Sequence, residues 1–275
     1  MSAARLGYLG PPGTFGEEAA IKADPRAEHV PFPSHAAIAA AVEAGAVELG
    51  VLAIENSLNG SVAETLDILI HDSTLDIQRE VVVHVVHNLI ARPGTRIEDV
   101  SVIYSHPHAF NQCRRFLAER LPNARLEASL STSAAVEAAV AGDLGAAGIG
   151  TSRAAELYGG AIVAAAIHDA DNNATRFVVL GRGKQLPTGH DRTSIAFTFT
   201  QDRPGSLAGV LDQFARRGIS CSKIESRPTK AVFGEYVFLV DFVGHQDDEA
   251  GRDALAAIRP LCAEVKVFGS YPRAE

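Results

Sequence analysis

Five short segments of this chain gather small and polar side chains of the kind that hold a ligand. They are residues 10–15 (GPPGTF), 55–62 (ENSLNGSV), 105–113 (SHPHAFNQC), 130–135 (LSTSAA) and 171–177 (DNNATRF). Their chemistry is that of neutral donors: hydroxyls, amides, the N–H groups of helix N-termini and one arginine. Such a set suits an anionic, oxygen-rich small molecule. Ordinary capping and turn formation explains any one of these segments taken alone. Five of them at strand ends argue together for one pocket, because open α/β sheets bind ligands outside the carboxyl ends of their strands.

Other motifs carry less. GPPGTFG lacks the Lys-Ser/Thr of a phosphate loop and the spacing of a dinucleotide fingerprint. Ser220 and Lys223 match a serine–lysine catalytic pattern, but they lie on an apolar strand with no companion motif. His84 and His87 sit three apart in a strand-like run and so face opposite ways, which speaks against a metal. No metal or cofactor is expected. Cys113, Cys221 and Cys262 are odd in number and widely spaced, so they frame neither a disulfide set nor a metal cluster and suit a reducing compartment.

The 275 residues are 47% hydrophobic and 21% charged, enough for a full core, with a formal charge of −8. That balance excludes a broad nucleic-acid footprint, which needs a basic face. No uncharged apolar run reaches membrane-spanning length; the best candidate, residues 36–54, is broken by Glu43 and Glu48. No basic stretch leads into an apolar signal core, and a cytoplasmic location is expected.

The elements that must position these loops alternate. Strands are expected at 5–9, 48–54, 100–104, 146–149 and 177–180, with helices at 33–45, 62–70, 107–120 and 132–142. That order argues for an α/β fold with mostly parallel sheet. The long β-rich run 75–91 exceeds one ordinary strand and reads as a strand crossing between two lobes, with a ligand cleft between them. Residues 181–191, rich in Gly, Pro and polar side chains, read as a linker. Beyond it the order is strand 194–200, helix 206–217, strands 219–227 and 235–243, helix 247–258 and strand 264–268. This is a ferredoxin-like βαββαβ unit with antiparallel sheet. The expected division is 1–182, a linker at 183–191, and 192–275.

Taken together the loops resemble those of the prephenate dehydratase family. The resemblance rests on GPPGTF, IENSLNGSV at 54–62, SHPHAFNQC, STSAA at 131–135, GIGTSRAAELYG at 148–159 and NATRFVVL at 173–180. The last holds the family's diagnostic Thr-Arg-Phe triplet. The C-terminal unit is similar to the ACT domain attached to such enzymes, with RPGSL at 203–207 and KIESRP at 223–228. The chain departs from the pattern at His108, where glutamine is usual, and at Ala53, where proline often stands. Ser220-Cys221 replaces an asparagine-leucine pair, which weakens the expectation of phenylalanine binding.

The resemblance implies a substrate, prephenate, with two carboxylates and a ring hydroxyl, or its amino counterpart arogenate. A non-catalytic two-lobed sensor is the alternative from another class. Thr175 is the candidate donor to the leaving hydroxyl, against a strand-entry threonine that satisfies backbone. Arg176 either clamps a carboxylate or pairs with a structural acid, since adjacent strand residues face opposite ways. Asn56 and Ser57 offer donors or form a turn, and Gln112 reaches the cleft or is a structural amide. Glu55, beside a dianion, must be protonated, turned away or structural. Thr14, Ser131, Thr132 and Ser133 bind carboxylate or cap helices. Asn173 and Phe177 complete the substrate set. Arg203, Pro204, Gly205, Ser206, Leu207, Ser220, Glu225, Ser226, Arg227 and Pro228 are the effector-binding candidates, with phenylalanine as effector. A homodimer or homotetramer is implied by the resemblance alone.

Overall fold

A computed structural model describes residues 3–201, 203–230, 232 and 234–274. Its first sheet is built from β1 (Arg5–Leu9), β2 (Glu28–Phe32), β3 (Leu49–Asn56), β4 (Gly60–Ser61), β5 (Asp76–His84) and β11 (Ala174–Gly181), in the order β2-β1-β3-β11-β5 with β4 paired to β3. The second contains β6 (Asn88–Ala91), β7 (Val102–Ser105), β8 (Arg125–Ala128), β9 (Ala146–Gly150) and β10 (Ala161–Ala164), in the order β10-β6-β9-β7-β8. Pairs β1–β2, β1–β3, β7–β8 and β7–β9 are parallel, whereas β6 runs antiparallel to β9 and β10.

The apolar run at 75–91 divides into β5 in the first sheet and β6 in the second, so this stretch crosses between the lobes. Pro31 sits in β2, an edge strand, where the missing N–H removes no interior ladder bond. Helices α1 (Phe15–Ala23), α2 (His35–Glu43) and α3 (Ala63–Asp67) belong to the first half of the chain. Helices α4 (Pro107–Gln112), α5 (Arg114–Arg120), α6 (Thr132–Ala141) and α7 (Ser152–Tyr158) follow. The expected single helix over 107–120 breaks at Cys113, which closes α4 and opens α5.

The C-terminal sheet consists of β12 (Asp191–Thr198), β13 (Cys221–Pro228), β14 (Tyr236–Val243) and β15 (Glu264–Pro272), with α8 (Ser206–Ala215) and α9 (Glu249–Ile258). Its order β13-β14-β12-β15, antiparallel throughout, is the ferredoxin-like arrangement. Phe197, Phe214, Phe242 and Ile258 fill the core under its helices. The chain separates into two compact units. One holds residues 1–65 and 82–177, the other 66–81 and 178–275. The division runs through α3, β5 and β11. No helix is long and apolar enough to cross a membrane among the described residues.

Helix α6 lies directly on β9. A Cβ at Gly148 would come within 2.7 Å of the Ala135 carbonyl oxygen and 2.8 Å of the Val136 Cα. Both obstacles are backbone, which cannot swing aside. Gly148→Ala should therefore destabilise the protein by about 1–3 kcal/mol, the usual cost of overpacking. Urea denaturation would measure the loss, and an unchanged midpoint would mean that α6 can lift off the sheet.

Candidate active site

The first unit contains a cleft of about 540 Å³ whose wall includes Thr14, Phe15, Asn56, Asn59, His87 and Gln112. Ser131, Thr132, Thr175 and Phe177 complete its polar and aromatic lining. Thr14 caps α1, accepting the Glu17 N–H at 3.4 Å, and Ser131 caps α6, accepting the Ala134 N–H at 3.0 Å. Two helix N-termini thus open on the cleft, and their free N–H groups and dipoles favour an anion there.

Asn56, at the end of β3, organises the wall. Its Oδ1 accepts the Leu58 and Asn59 N–H groups, each at 3.0 Å, which fixes which way the amide faces. Its Nδ2 then donates to Asn173 Oδ1 at 2.9 Å, to Thr175 Oγ1 at 3.0 Å and to the Ala174 carbonyl at 3.2 Å. A hydroxyl that accepts on one side still has its own proton to give. Thr175 is therefore placed with its O–H free to serve a ligand in the cleft.

Strand alternation separates the Thr-Arg-Phe triplet. Thr175 and Phe177 line the cleft, whereas Arg176 ion-pairs with Glu55, its Nη2 and Nε lying 2.9 and 3.2 Å from Oε2. Ser57 is bound into β11, donating to the Asn172 carbonyl and accepting the Ala174 N–H. Ser133, fully buried, donates to the Pro12 carbonyl and lies 3.2 Å from Tyr158 Oη. Thr132 lines the cleft beside Ser131. Gln112 lines an adjoining cavity as well, and Asn173 faces that cavity rather than the cleft. Sequence reasoning gave no individual role to His35, His106 or Asn59 and weighed His87 only as a metal ligand, yet the fold brings all four to the same wall. Asn59 and His106 lie within the polar segments 55–62 and 105–113, whereas His35 and His87 lie outside all five.

The loop after β1 is tied across the unit. Glu17 Oε2 accepts the Gly13 N–H at 2.6 Å while Oε1 pairs with Arg153 at 3.3 Å, and Thr151 Oγ1 donates to the Gly13 carbonyl at 2.9 Å. Beside this knot, burial pushes the Glu18 carboxyl up to about 7, and the neighbouring carboxylates Glu17 and Glu156 add to the rise.

In the second unit, Gly205 takes φ +92°, the left-handed region open to glycine, just ahead of α8. Ser206 and Arg203 close that turn, the Ser206 N–H donating to the Arg203 carbonyl and the Arg203 N–H to Ser206 Oγ. Pro204 is exposed, and Leu207 packs against the core under the sheet. On β13, Glu225 pairs with Lys223 at 3.3 Å and Arg227 at 3.6 Å, with Ser226 and Pro228 exposed between and beyond them. The Ser220 carbonyl accepts the Val243 N–H.

Comparison with known proteins bears on the whole chain. A family model described as prephenate dehydratase matches residues 6–185, and one described as ACT domain matches 194–260. A prephenate dehydratase from Mycobacterium sp. (strain JLS) is 40% identical, covering 98% of this chain and 89% of its own length. The solved structure of prephenate dehydratase in complex with L-Phe from Arthrobacter aurescens is 36% identical with a TM-score of 0.90, over 98% of this chain and 90% of its own. A structure described as a novel type of quorum quenching acylase is 28% identical with a TM-score of 0.89, over 98% of both chains. One fold at such distance hosts more than one described activity, so the residues of the cleft must carry the functional argument.

The Glu18 carboxyl supplies a test of the knot behind that cleft. Its folded pKa lies above the unfolded value of 4.5, so the stability it contributes is complete below about 4.5 and is lost as pH rises through about 7. Glu18→Gln, neutral at every pH, should match the wild type at the acid end and become progressively more stable than it up to about pH 7, then keep that lead. Chemical denaturation across pH 4.5–8 would show the divergence; parallel curves would place Glu18 in water.

Proposed function

The chain belongs to the prephenate dehydratase family, and from that premise we propose that it converts prephenate to phenylpyruvate, carbon dioxide and water. The observation that carries the reading is the placement of Thr175, its oxygen held by Asn56 at 3.0 Å and its hydroxyl on the cleft. In the reaction the bond from the ring to its carboxylate breaks, the electron pair enters the ring, and the ring hydroxyl leaves. A hydrogen bond from Thr175 offsets the negative charge that builds on that oxygen, and solvent supplies the proton that makes it water. Aromaticity drives the step. The task left to the protein is to bind two anions and one leaving group, which the α1 and α6 N-termini and the amides of Asn56 and Gln112 suit.

The C-terminal domain, from residue 192 after a joint at 183–191, is the regulatory half of this reading, with L-phenylalanine as its ligand. Support comes from the RPGSL and ESRP segments, where Glu225 offers a carboxylate to an ammonium. As a homodimer or homotetramer the enzyme would join such domains across chains.

Two experiments test these assignments. Thr175→Ala should lower kcat by roughly 10²–10⁴-fold with little rise in KM, because its contribution appears as charge develops. Thr175→Val should resemble Ala, and Thr175→Ser should keep much more activity. A Val variant with near wild-type kcat would make Thr175 a packing residue. For the regulatory half, calorimetry should detect L-phenylalanine binding to the full chain, and Glu225→Ala should weaken it about tenfold or more, the scale of a lost charged hydrogen bond. Undiminished affinity would move the effector site away from β13.

A further inference from the structure

A cavity of about 320 Å³ adjoins the cleft and shares Asn59, His108 and Gln112 with it. Four carboxamides line it, and two of them, Asn173 and Gln112, have their oxygens tied back. Asn173 Oδ1 accepts from Asn56, whose own orientation is locked by two backbone N–H groups. Gln112 Oε1 lies 2.7 Å from His87 Nε2. His87 is 2% exposed, and burial holds its pKa below the ordinary value. In the tautomer protonated on Nε2 the ring donates to that amide oxygen, and its Nδ1 is left without a partner. Phe15 packs edge-on against the ring at 5.6 Å. The consequence is the same at both amides: the NH₂ groups are what remains for a ligand.

Asn173 shows this most directly. Its side chain is 2% exposed, yet its Nδ2 has no hydrogen-bond partner. A buried donor left unpaired costs stability, so its retention points to a ligand acceptor. The one carboxylate among the lining residues, Asp169, accepts the Arg115 N–H on both oxygens, at 3.1 and 3.2 Å.

We propose that this cavity receives the 2-keto acid side chain of prephenate, with Asn173 and Gln112 donating to its oxygens and His87 as the positioning residue that aims Gln112. The inference rests on the dehydratase reading and adds a selectivity to it. A keto oxygen accepts from such donors. The ammonium of arogenate brings only donors of its own, so both sides stay unpaired, and sites built this way discriminate strongly.

The test uses the purified full chain, with initial rates on prephenate and arogenate measured separately and folding checked by circular dichroism. Wild type should favour prephenate by at least about tenfold in kcat/KM. Asn173→Asp keeps the acceptor for Asn56 and replaces the NH₂ with a carboxylate oxygen. It should cost prephenate about 10²-fold and arogenate far less, moving the ratio by at least about tenfold. His87→Phe keeps the packing against Phe15 without the donor and should raise KM for prephenate about tenfold with a smaller change in kcat. His87→Gln restores a donor near the Nε2 position and should recover most of that loss. Equal use of both substrates by the wild type overturns the proposal, as does a folded Asn173→Asp variant with an unmoved ratio. His87→Gln as impaired as His87→Phe would remove His87 from it. Should Asn173→Asp not fold, wild-type selectivity and the His87 pair decide. Turnover of neither substrate by the wild type would instead overturn the dehydratase reading itself.

Discussion

The amide of Asn56 is the constraint on which the cleft depends. Two backbone N–H groups on its oxygen leave it no freedom to flip, and its nitrogen then serves three acceptors on the segment that enters β11. Those bonds join β3 to β11, orient the Thr175 hydroxyl and turn the Asn173 amide. In a partly buried network each bond polarises the next, so the arrangement is worth more than its separate pairs. It also sets polarity: every group that Asn56 fixes at Thr175 and Asn173 is left with a hydrogen to give.

A wall of donors succeeds only if nearby carboxylates are kept from the substrate. At about 6 Å and an effective dielectric of about 20, one unpaired carboxylate would oppose each substrate anion by about 3 kcal/mol. The fold turns each of them to another partner. Glu55 meets Arg176, Glu17 meets Gly13 and Arg153, and Asp169 meets Arg115. The arginine of the Thr-Arg-Phe triplet is thus paired with the Glu55 carboxylate. Its two neighbours in sequence face the cleft because successive side chains of a strand alternate.

Much of this was legible in the residues. Alternating apolar runs and alanine-rich helices gave the α/β order, the βαββαβ tail followed from its changed period, and the crossing at 75–91 followed from a β-rich run too long for one strand. Strand parity left two readings open for Arg176, a carboxylate clamp or a structural pair, and the fold pairs it with Glu55. Other features were not local enough to read. His87 looked like a strand histidine because its partners, Phe15 and Gln112, are distant in sequence and meet it only through the fold. The strands β2 and β8 mix charged residues with few apolar ones, and β10, though apolar, is only four residues long. The break between α4 and α5 at Cys113 left no signal, since Gln112 and Arg114 on either side both favour helix.

The most instructive mismatch between sequence order and structure is the segment 66–81. It lies between two pieces of the first unit, yet it packs within the second. Its polar groups explain why. Asp67 takes Arg227 at 3.0 Å and Lys230 at 2.6 Å, and these hydrogen bonds lower its pKa against the opposing effect of desolvation. Glu80, nearly buried, takes Arg192 at 2.5 Å and the Ala274 N–H at 2.9 Å, and Gln78 donates to the Gly183 carbonyl at 2.6 Å. Lys266 donates to the Ile70 and Ser73 carbonyls, where a short π-helical turn, Ile68–Asp72, would otherwise leave them open. A buried carboxylate such as Glu80 needs a partner of this kind, which offsets the cost of taking its charge out of water. Every one of those partners lies beyond residue 180. The segment therefore has no satisfactory burial in the first unit, and the chain must leave that unit after α3 begins and return to it along β5.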